Sequence, residues 1–349
     1  MTPTENIPTT LVTGANGFVG SHIVRRYLDA GLPVAALRRP SSDLSLLADV
    51  ADRITWIDGD ITDIPSLEAA IRPGWDVVHT AAVVSYSPGD RDRMEKINVE
   101  GTANVVNVCL HAGVRKLGFV SSVAAVGRPT NRQSGPAQPL VINETQKWED
   151  SPHNSVYGQT KYRAELEVWR GVAEGLNAVI INPALVLGEG DWTKTSVQVF
   201  KYAYDEKRFY PEGLVNYVDV KDVAEALFSL MRSDVAAERF ILSAGTIPYQ
   251  SLFEQIAAGF GKRPPSVRVP ASLTRVLWRL EAVRAWLTGK PPLITRETAR
   301  SSSSYYQFDG RKIEQAIDFQ YRPLSETIRR TAAALKPVQT GAEAGSPLP

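Results

Sequence analysis

The chain has 349 residues, 43% of them hydrophobic, and sets 39 Lys and Arg against 38 Asp and Glu for a formal net charge of +1. This is ordinary soluble globular composition without a dense basic block, so electrostatic capture of nucleic acid or anionic lipid is not indicated. One cysteine, Cys109, excludes an intrachain disulfide, and no apolar run approaches the ~20 residues of a membrane span.

The opening MTPTENIPTT lacks a basic-then-apolar leader, which makes a cytoplasmic enzyme the expectation. In chain order, TLVTG (10–14) reads as a strand, and residues 18–31 carry helical period up to a glycine stop. PVAALR (33–38), ITWID (54–58) and DVVHTAA (76–82) read as the next strands. A long helical stretch over 89–112 closes at Gly113 and contains Cys109 on an apolar face, as a buried thiol. KLGFVSS (116–122) is the fifth strand, 155–175 a long helix, and NAVIINPALVLG (177–188) the sixth strand with its exit loop. Near-continuous apolar strands separated by helices predict a parallel sheet covered on both faces.

After residue 188 the rhythm breaks and aromatics become denser, so a smaller lobe is expected over 189–336, following a domain over 1–188. Within that lobe, 216–245 (NYVDVKDVAEALFSLM, then RFILSAG) is expected to return to the main sheet, and 272–287 reads as an amphipathic helix. The small, polar tail 337–349 reads as disordered. His22, His79, His111 and His153 show no metal-ligand spacing, so no metal is expected. His79, ending a buried strand, reads as a satisfied core histidine, and Asp219 as a helix-start or structural acid.

Gly14, Gly17 and Gly20 stand three apart between the first strand and the first helix. Gly14 allows a tight turn. Gly17 admits backbone N–H groups to a pyrophosphate, and Gly20 lets the helix lie close on the strand. A tight turn that binds nothing is the alternative. The spacing T-G-x-x-G-x-x-G does not stand alone. TGANGFVG (13–20), GDITD (59–63), HTAA (79–82), NVEGT (98–102), VSSVAAVG (120–127), YGQTK (157–161) and NPALVLGEGD (182–191) follow in order. With them the chain resembles the extended short-chain dehydrogenase/reductase family, also called the NAD-dependent epimerase/dehydratase family. Its nearest flavour is the dihydroflavonol-reductase-like and 3β-hydroxysteroid-dehydrogenase-like branch. The resemblance implies an α/β fold, a Rossmann-type doubly wound parallel sheet with a smaller mixed C-terminal substrate-binding lobe.

It also implies a cofactor-facing turn of Gly14, Asn16, Gly17, Phe18, Val19 and Gly20. NAD binders carry an acid after the second strand. This chain has Arg38 and Arg39 there, and a guanidinium suits a 2′-phosphate, so NADP(H) is predicted with NAD(H) as the alternative. Asp60, with Ile61, matches the family acid that bonds adenine, or it caps the next helix. Thr80, Ala81 and Ala82 match the segment lying along the cofactor, and Pro183 the residue beside the nicotinamide carboxamide.

Tyr157 and Lys161 stand four apart in a helical segment and share a face. The family uses such a pair as general acid/base and ribose ligand, with the Lys⁺ favouring the phenolate. Ser122, five residues before Gly127, matches the hydroxyl that orients the substrate oxygen. Asn98 matches the family Asn that braces the central helix, or is purely structural. The substrate is expected against Val83, Val84, Tyr86, Ser122, Val123, Tyr157, Leu185 and Trp192, mainly apolar walls.

These residues predict an NADP(H)-dependent oxidoreductase acting on a hydrophobic ketone, aldehyde or secondary alcohol. The alternative is a nucleotide-sugar epimerase, for which scattered Arg275, Arg279 and Arg296 could serve a diphosphate. Dehydration is disfavoured, because Val123 and Ala124 follow Ser122 where family dehydratases carry an Asp-Glu pair. A non-catalytic cofactor sensor is the third class, but such relatives generally lose the Tyr or Lys. Substrate-specific residues are expected in 84–94, 128–154 and 186–215, with the polar, proline-bearing 128–152 forming a lid edge. The resembled family commonly forms homodimers through the two long helices, here 89–112 and 155–175; VVNVCL and AELEVW are candidate faces for that, although apolar helix faces are more often core.

Overall fold

β1 (Thr10–Thr13), β2 (Val34–Arg38), β3 (Thr55–Asp58) and β4 (Asp76–His79) are short, apolar and parallel. The computed structural model describes residues 9–130, 135, 138–151, 154–270 and 304–335. The predicted helix at 272–287, the tail, His153, Arg275, Arg279 and Arg296 lie outside the described residues. β5 (Lys116–Val120), β7 (Ala178–Pro183) and β11 (Glu238–Leu242) complete a seven-stranded sheet of order β11-β7-β5-β4-β1-β2-β3. β1, β4, β5 and β7 are buried along their whole length, which is why they read as continuous apolar runs rather than alternations.

The two sheet faces separate residue by residue. Val12, Val78, Val179 and Ile181 pack with helices α1 (Phe18–Asp29) and α7 (Val220–Met231). Leu11, Val77, Ile180 and Leu117 pack on the other face with α4 (Gly101–Ala112) and α5 (Val156–Ala173). Cys109 lies in that second core, where burial pushes its thiol pKa well up. So do Val105, Val106, Ala164 and Val168 of the proposed dimer faces, which leaves Leu166 as the exposed apolar residue of AELEVW. A short helix α3 (Arg91–Met94) leads into α4 through a π-helical turn, Glu95–Glu100, centred on the expected brace Asn98.

The chain moves outward from β1 to β3 and then returns to the other side of β1 at β4. The carboxyl ends of β1 and β4 therefore flank a topological switch point, where open α/β sheets bind ligands.

The 216–245 stretch divides. Glu238–Leu242 pairs in parallel with β7 at the sheet edge, and α7 packs on the sheet. β10 (Leu214–Asp219) instead pairs with β8 (Leu185–Leu187) and β12 (Gly245–Pro248) in a separate three-stranded sheet. The chain leaves the main sheet after Pro183, where the Ala184 N–H donates to the Leu242 carbonyl (2.9 Å) and β8 starts afresh. The core of this lobe is built by α6 (Gln198–Tyr204), α8 (Tyr249–Phe260) and the closing helix Leu324–Leu335. Two further pairs, β6 (Leu140–Ile142) with β14 (Tyr306–Phe308) and β9 (Phe209–Pro211) with β13 (Val267–Val269), tie the 138–151 segment and the lobe's outer loops down. No described helix is long and apolar enough to cross a membrane.

Candidate active site

The glycine turn is an opening with no space to spare. Gly14 has φ +68°, and a Cβ on it would sit 2.6 Å from the Ala81 nitrogen and 2.7 Å from Thr80 Oγ1. A Cβ on Gly20 would sit 2.1 Å from the Gly14 carbonyl oxygen. Both positions demand glycine because backbone meets backbone there. Helix α1 begins after Gly17, which offers no side-chain cap, and no acidic residue stands in the first turn. The first-turn N–H groups, with the positive end of the helix dipole, are thus left for an external anion. This cradle fits a dinucleotide pyrophosphate. Thr80 seals its floor by donating to the Thr13 carbonyl (2.7 Å). Phe18 turns its ring into the lobe core, against Gly190, so only its backbone faces the turn.

At the end of β2, Arg38 Nε donates to Asp58 Oδ1 (2.9 Å), its register partner on β3, and its guanidinium lies 5.4 Å from the Trp56 ring centroid. That ion pair is half-exposed and worth at most about 1 kcal/mol. Arg39 is exposed, its backbone N–H bonded to Ser42 Oγ (3.1 Å). Asn16 donates to the Asp43 carbonyl (3.1 Å), tying the glycine turn to the loop that follows Arg38 and carries Arg39. Asp60 Oδ1 accepts from the Thr62 N–H and hydroxyl (2.9 and 2.8 Å), a local turn. Asp60 does not cap the next helix, α2 (Ile64–Ala70), as its sequence position had also allowed: the N-cap position is held by Asp63.

Ser122, Tyr157 and Lys161 converge where β5 ends. Ser122 Oγ accepts the Ala124 N–H (3.1 Å), which leaves its proton available to another oxygen. Ser155 caps α5 by accepting the Gly158 N–H (2.9 Å), and the first turn of that helix carries Tyr157. A Cβ on Gly158 would lie 2.9 Å from the Ala124 carbonyl oxygen, so the helix start is pressed onto the turn after Ser122. Burial pushes the Tyr157 phenol above its ordinary pKa, and a hydrogen bond with the Ser122 side chain pulls the other way. Lys161 is 2% exposed. Its Nζ donates to the Val120 carbonyl (3.0 Å) and lies 4.4 Å from the Phe119 ring centroid. Burial lowers its pKa to about 8, with Glu165 opposing, so it is still mostly charged at neutral pH. The phenolate-favouring lysine expected from sequence is therefore not the dominant influence on Tyr157 in this structure; burial is.

Behind this trio stands a chain of polar side chains. Asn98 accepts the Val83 N–H (2.7 Å) and donates to the Val83 carbonyl and to Thr160 Oγ1 (2.9 and 3.1 Å). It thereby joins the segment after β4 to the first turns of α5. Thr102 donates to the Asn98 carbonyl (2.6 Å), so its oxygen accepts from His79 Nε2 (3.0 Å), and His79 Nδ1 accepts from Thr13 (2.6 Å). His79 is thus a neutral core histidine, its pKa lowered to about 3 chiefly by burial. Asp219 caps α7 through Lys221 N–H (2.7 Å) and pairs with Arg330 (2.8 Å), a structural acid.

Sequence reasoning missed Glu165, one helical turn beyond Lys161. This buried carboxylate accepts from Ser121 Oγ and Asn182 Nδ2 (2.8 Å each) and from Arg239 (3.1 Å). Asn182 also donates to the Ser122 carbonyl (3.0 Å). The network fixes the backbone that presents Ser122. Its only signal in the sequence was an acid at the i+4 position after the lysine.

Among the expected substrate walls, Tyr86 lies 6.1 Å from Tyr157 between ring centroids, and Val84 is exposed beside it. Val123 packs partly buried over Phe308 and Val126, and Leu185 against the lobe core. Trp192 has Tyr204 and Phe260 as ring partners (5.1 and 6.5 Å), inside the lobe rather than against Tyr157.

The profile described as NAD dependent epimerase/dehydratase family matches residues 10–242. Cinnamoyl-CoA reductase 1 of Petunia hybrida is 32% identical over 268 residues, covering 72% of this chain and 78% of that protein. The crystal structure of gox2253 is 30% identical, with a TM-score of 0.78 over 93% of this chain and 97% of that one. The UDP-glucose 4-epimerase of Thermus thermophilus, solved as a complex with NAD, shares the fold at 24% identity, with a TM-score of 0.68 over 93% and 98%.

Proposed function

The chain belongs to the NAD-dependent epimerase/dehydratase family and is an NAD(P)-dependent oxidoreductase; from that premise we propose that it uses NADP(H) to reduce a hydrophobic ketone or aldehyde to the alcohol. The observation that carries this reading is the state of Tyr157. Its phenol is buried, kept protonated, and placed beside a serine hydroxyl with a proton to give. A neutral phenol is the form that donates to a developing alkoxide. When bound, the reduced nicotinamide supplies the hydride. Tyr157 Oη gives its proton to the substrate oxygen, and the Ser122 hydroxyl donates a hydrogen bond to the same atom. Lys161, still charged at neutral pH, offsets the negative charge left on the phenol and donates to the ribose. Asn98 and the Glu165 network hold these groups in place.

Arg38 and Arg39 support the 2′-phosphate. A phosphate presented between them competes with an exposed Asp58 pair of little strength. Titration of the protein with NADPH and NADH, read by energy transfer from tryptophan, tests this. NADPH is expected to bind at least about tenfold more tightly than NADH. Arg38→Ala and Arg39→Ala are each expected to cost roughly tenfold in NADPH affinity, about 1.4 kcal/mol. The double variant is expected to bind the two cofactors alike. Equal or tighter binding of NADH by the unaltered chain would remove the NADP(H) assignment.

A further inference from the structure

Beside Val123, one of the expected apolar wall residues, stands a cation that those walls did not include. Arg128 closes the turn that begins at Ser122. Its Nη1 donates to the Val123 and Gly127 carbonyls (3.2 and 3.0 Å). Its guanidinium carbon lies 4.8 Å from the Phe308 ring centroid and 5.3 Å from that of Tyr306. Every other partly buried arginine among the described residues has a carboxylate against it, as Arg26 has Glu225, Arg239 has Glu165, Arg322 has Asp222 and Arg330 has Asp219. Arg128 has none among the described residues, only two backbone carbonyls and two aromatic faces. An arginine taken out of water without a counter-charge is costly, and an anion arriving there recovers part of that cost.

The position ties this charge to the reaction centre. The Val123 carbonyl that accepts from Arg128 belongs to the residue after Ser122 (3.2 Å), and Tyr86, which stands against the ring of Tyr157, bears on the charge of the same guanidinium. Burial pulls the guanidinium pKa down to about 10, so it keeps its charge at neutral pH.

We propose that Arg128 is a specificity-determining residue: the substrate is a hydrophobic aldehydo or keto acid whose carboxylate, remote from the reacting carbonyl, is received by this guanidinium between Tyr306 and Phe308. The proposal rests on the carbonyl-reductase reading for the reacting end, and on Arg128 alone for the carboxylate end. A guanidinium can grip a carboxylate with two parallel N–H bonds, while the rings hold the apolar body of the molecule.

Two readouts separate the two claims. In calorimetric titration of the NADPH-loaded protein, benzoate is expected to bind at least about tenfold more tightly than benzamide. Arg128→Met is expected to abolish that difference and Arg128→Lys to restore part of it. In turnover, 4-carboxybenzaldehyde is expected to exceed 4-methylbenzaldehyde in kcat/KM, with the preference lost in Arg128→Met. Benzoate binding no better than benzamide in the unaltered protein, which requires no variant to fold, overturns the proposal. A carboxylate preference that survives in folded Arg128→Met overturns it too. Reduction of both aldehydes without benzoate binding defeats the carboxylate site and leaves the reductase reading standing. Arg128-dependent benzoate binding with neither aldehyde reduced supports the site and defeats the reductase reading.

Discussion

Tyr157→Phe is expected to lower kcat by about 10³-fold while leaving NADPH affinity within about twofold. The change removes one oxygen and keeps the ring that packs against Tyr86. No other hydroxyl acid stands ready in its place. Ser122 is an alcohol held as a donor by the Ala124 N–H, and the His79 ring is neutral, buried and committed at both nitrogens. The proton must then come from solvent into a site where Tyr157 is 8% exposed. In the unaltered protein, reduction is expected to decline as pH rises through about 8. The sign follows from Lys161, whose charged form is lost above that value because burial has lowered its pKa. Steady-state kinetics across pH, paired with fluorescence titration of NADPH, measures both effects. A Tyr157→Phe protein with unaltered kcat would remove Tyr157 from the reaction.

Gly20→Ala carries the second large effect, and it acts through the backbone. The added Cβ would lie 2.1 Å from the Gly14 carbonyl oxygen, 2.8 Å from the Gly14 carbonyl carbon and 2.9 Å from Thr80 Oγ1. Two of these atoms belong to the turn and cannot rotate away as a side chain could. Helix α1 must lift from β1, which moves the first-turn N–H groups away from the phosphate position. Overpacking of this kind costs about 1–3 kcal/mol of stability. NADPH affinity is expected to fall at least about a hundredfold, some 2.7 kcal/mol, because phosphate contacts depend on the turn's placement. Thermal unfolding with and without NADPH reads both terms. A variant that keeps full NADPH-induced stabilisation would show that the turn does not hold the cofactor.

The sheet was legible because its strands are buried on both faces, so apolar runs such as DVVH and AVIINP are written openly in the chain. The glycine turn was legible because two of its three glycines, Gly14 and Gly20, are forced by backbone contact, and Tyr157 with Lys161 because a helix brings positions four apart together. What could not be read depends on pairings distant in sequence. Arg38 meets Asp58 only through the β2–β3 register, and Glu165 meets Asn182 and Arg239 only because β7 lies beside β5 and β11 beside β7. Leu214–Asp219 carries an apolar pattern suited to either sheet, and its pairing with Gly245–Pro248 decides the matter. Trp192 looked like a pocket wall by composition, yet Tyr204 and Phe260 claim its ring. Arg128 looked like the first residue of a polar loop. Its surroundings come from β14, some 180 residues further along the chain.

The most direct measurement is a single-turnover reaction of the protein with NADPH deuterated at C4 and a panel of hydrophobic aldehydes, with the product analysed by mass spectrometry and NMR. One deuterium on the carbinol carbon, delivered to one face, and release of NADP⁺ are expected. No label in any alcohol, together with tightly held NAD⁺ and inversion of a nucleotide sugar, would contradict the reductase reading and return the chain to the epimerases.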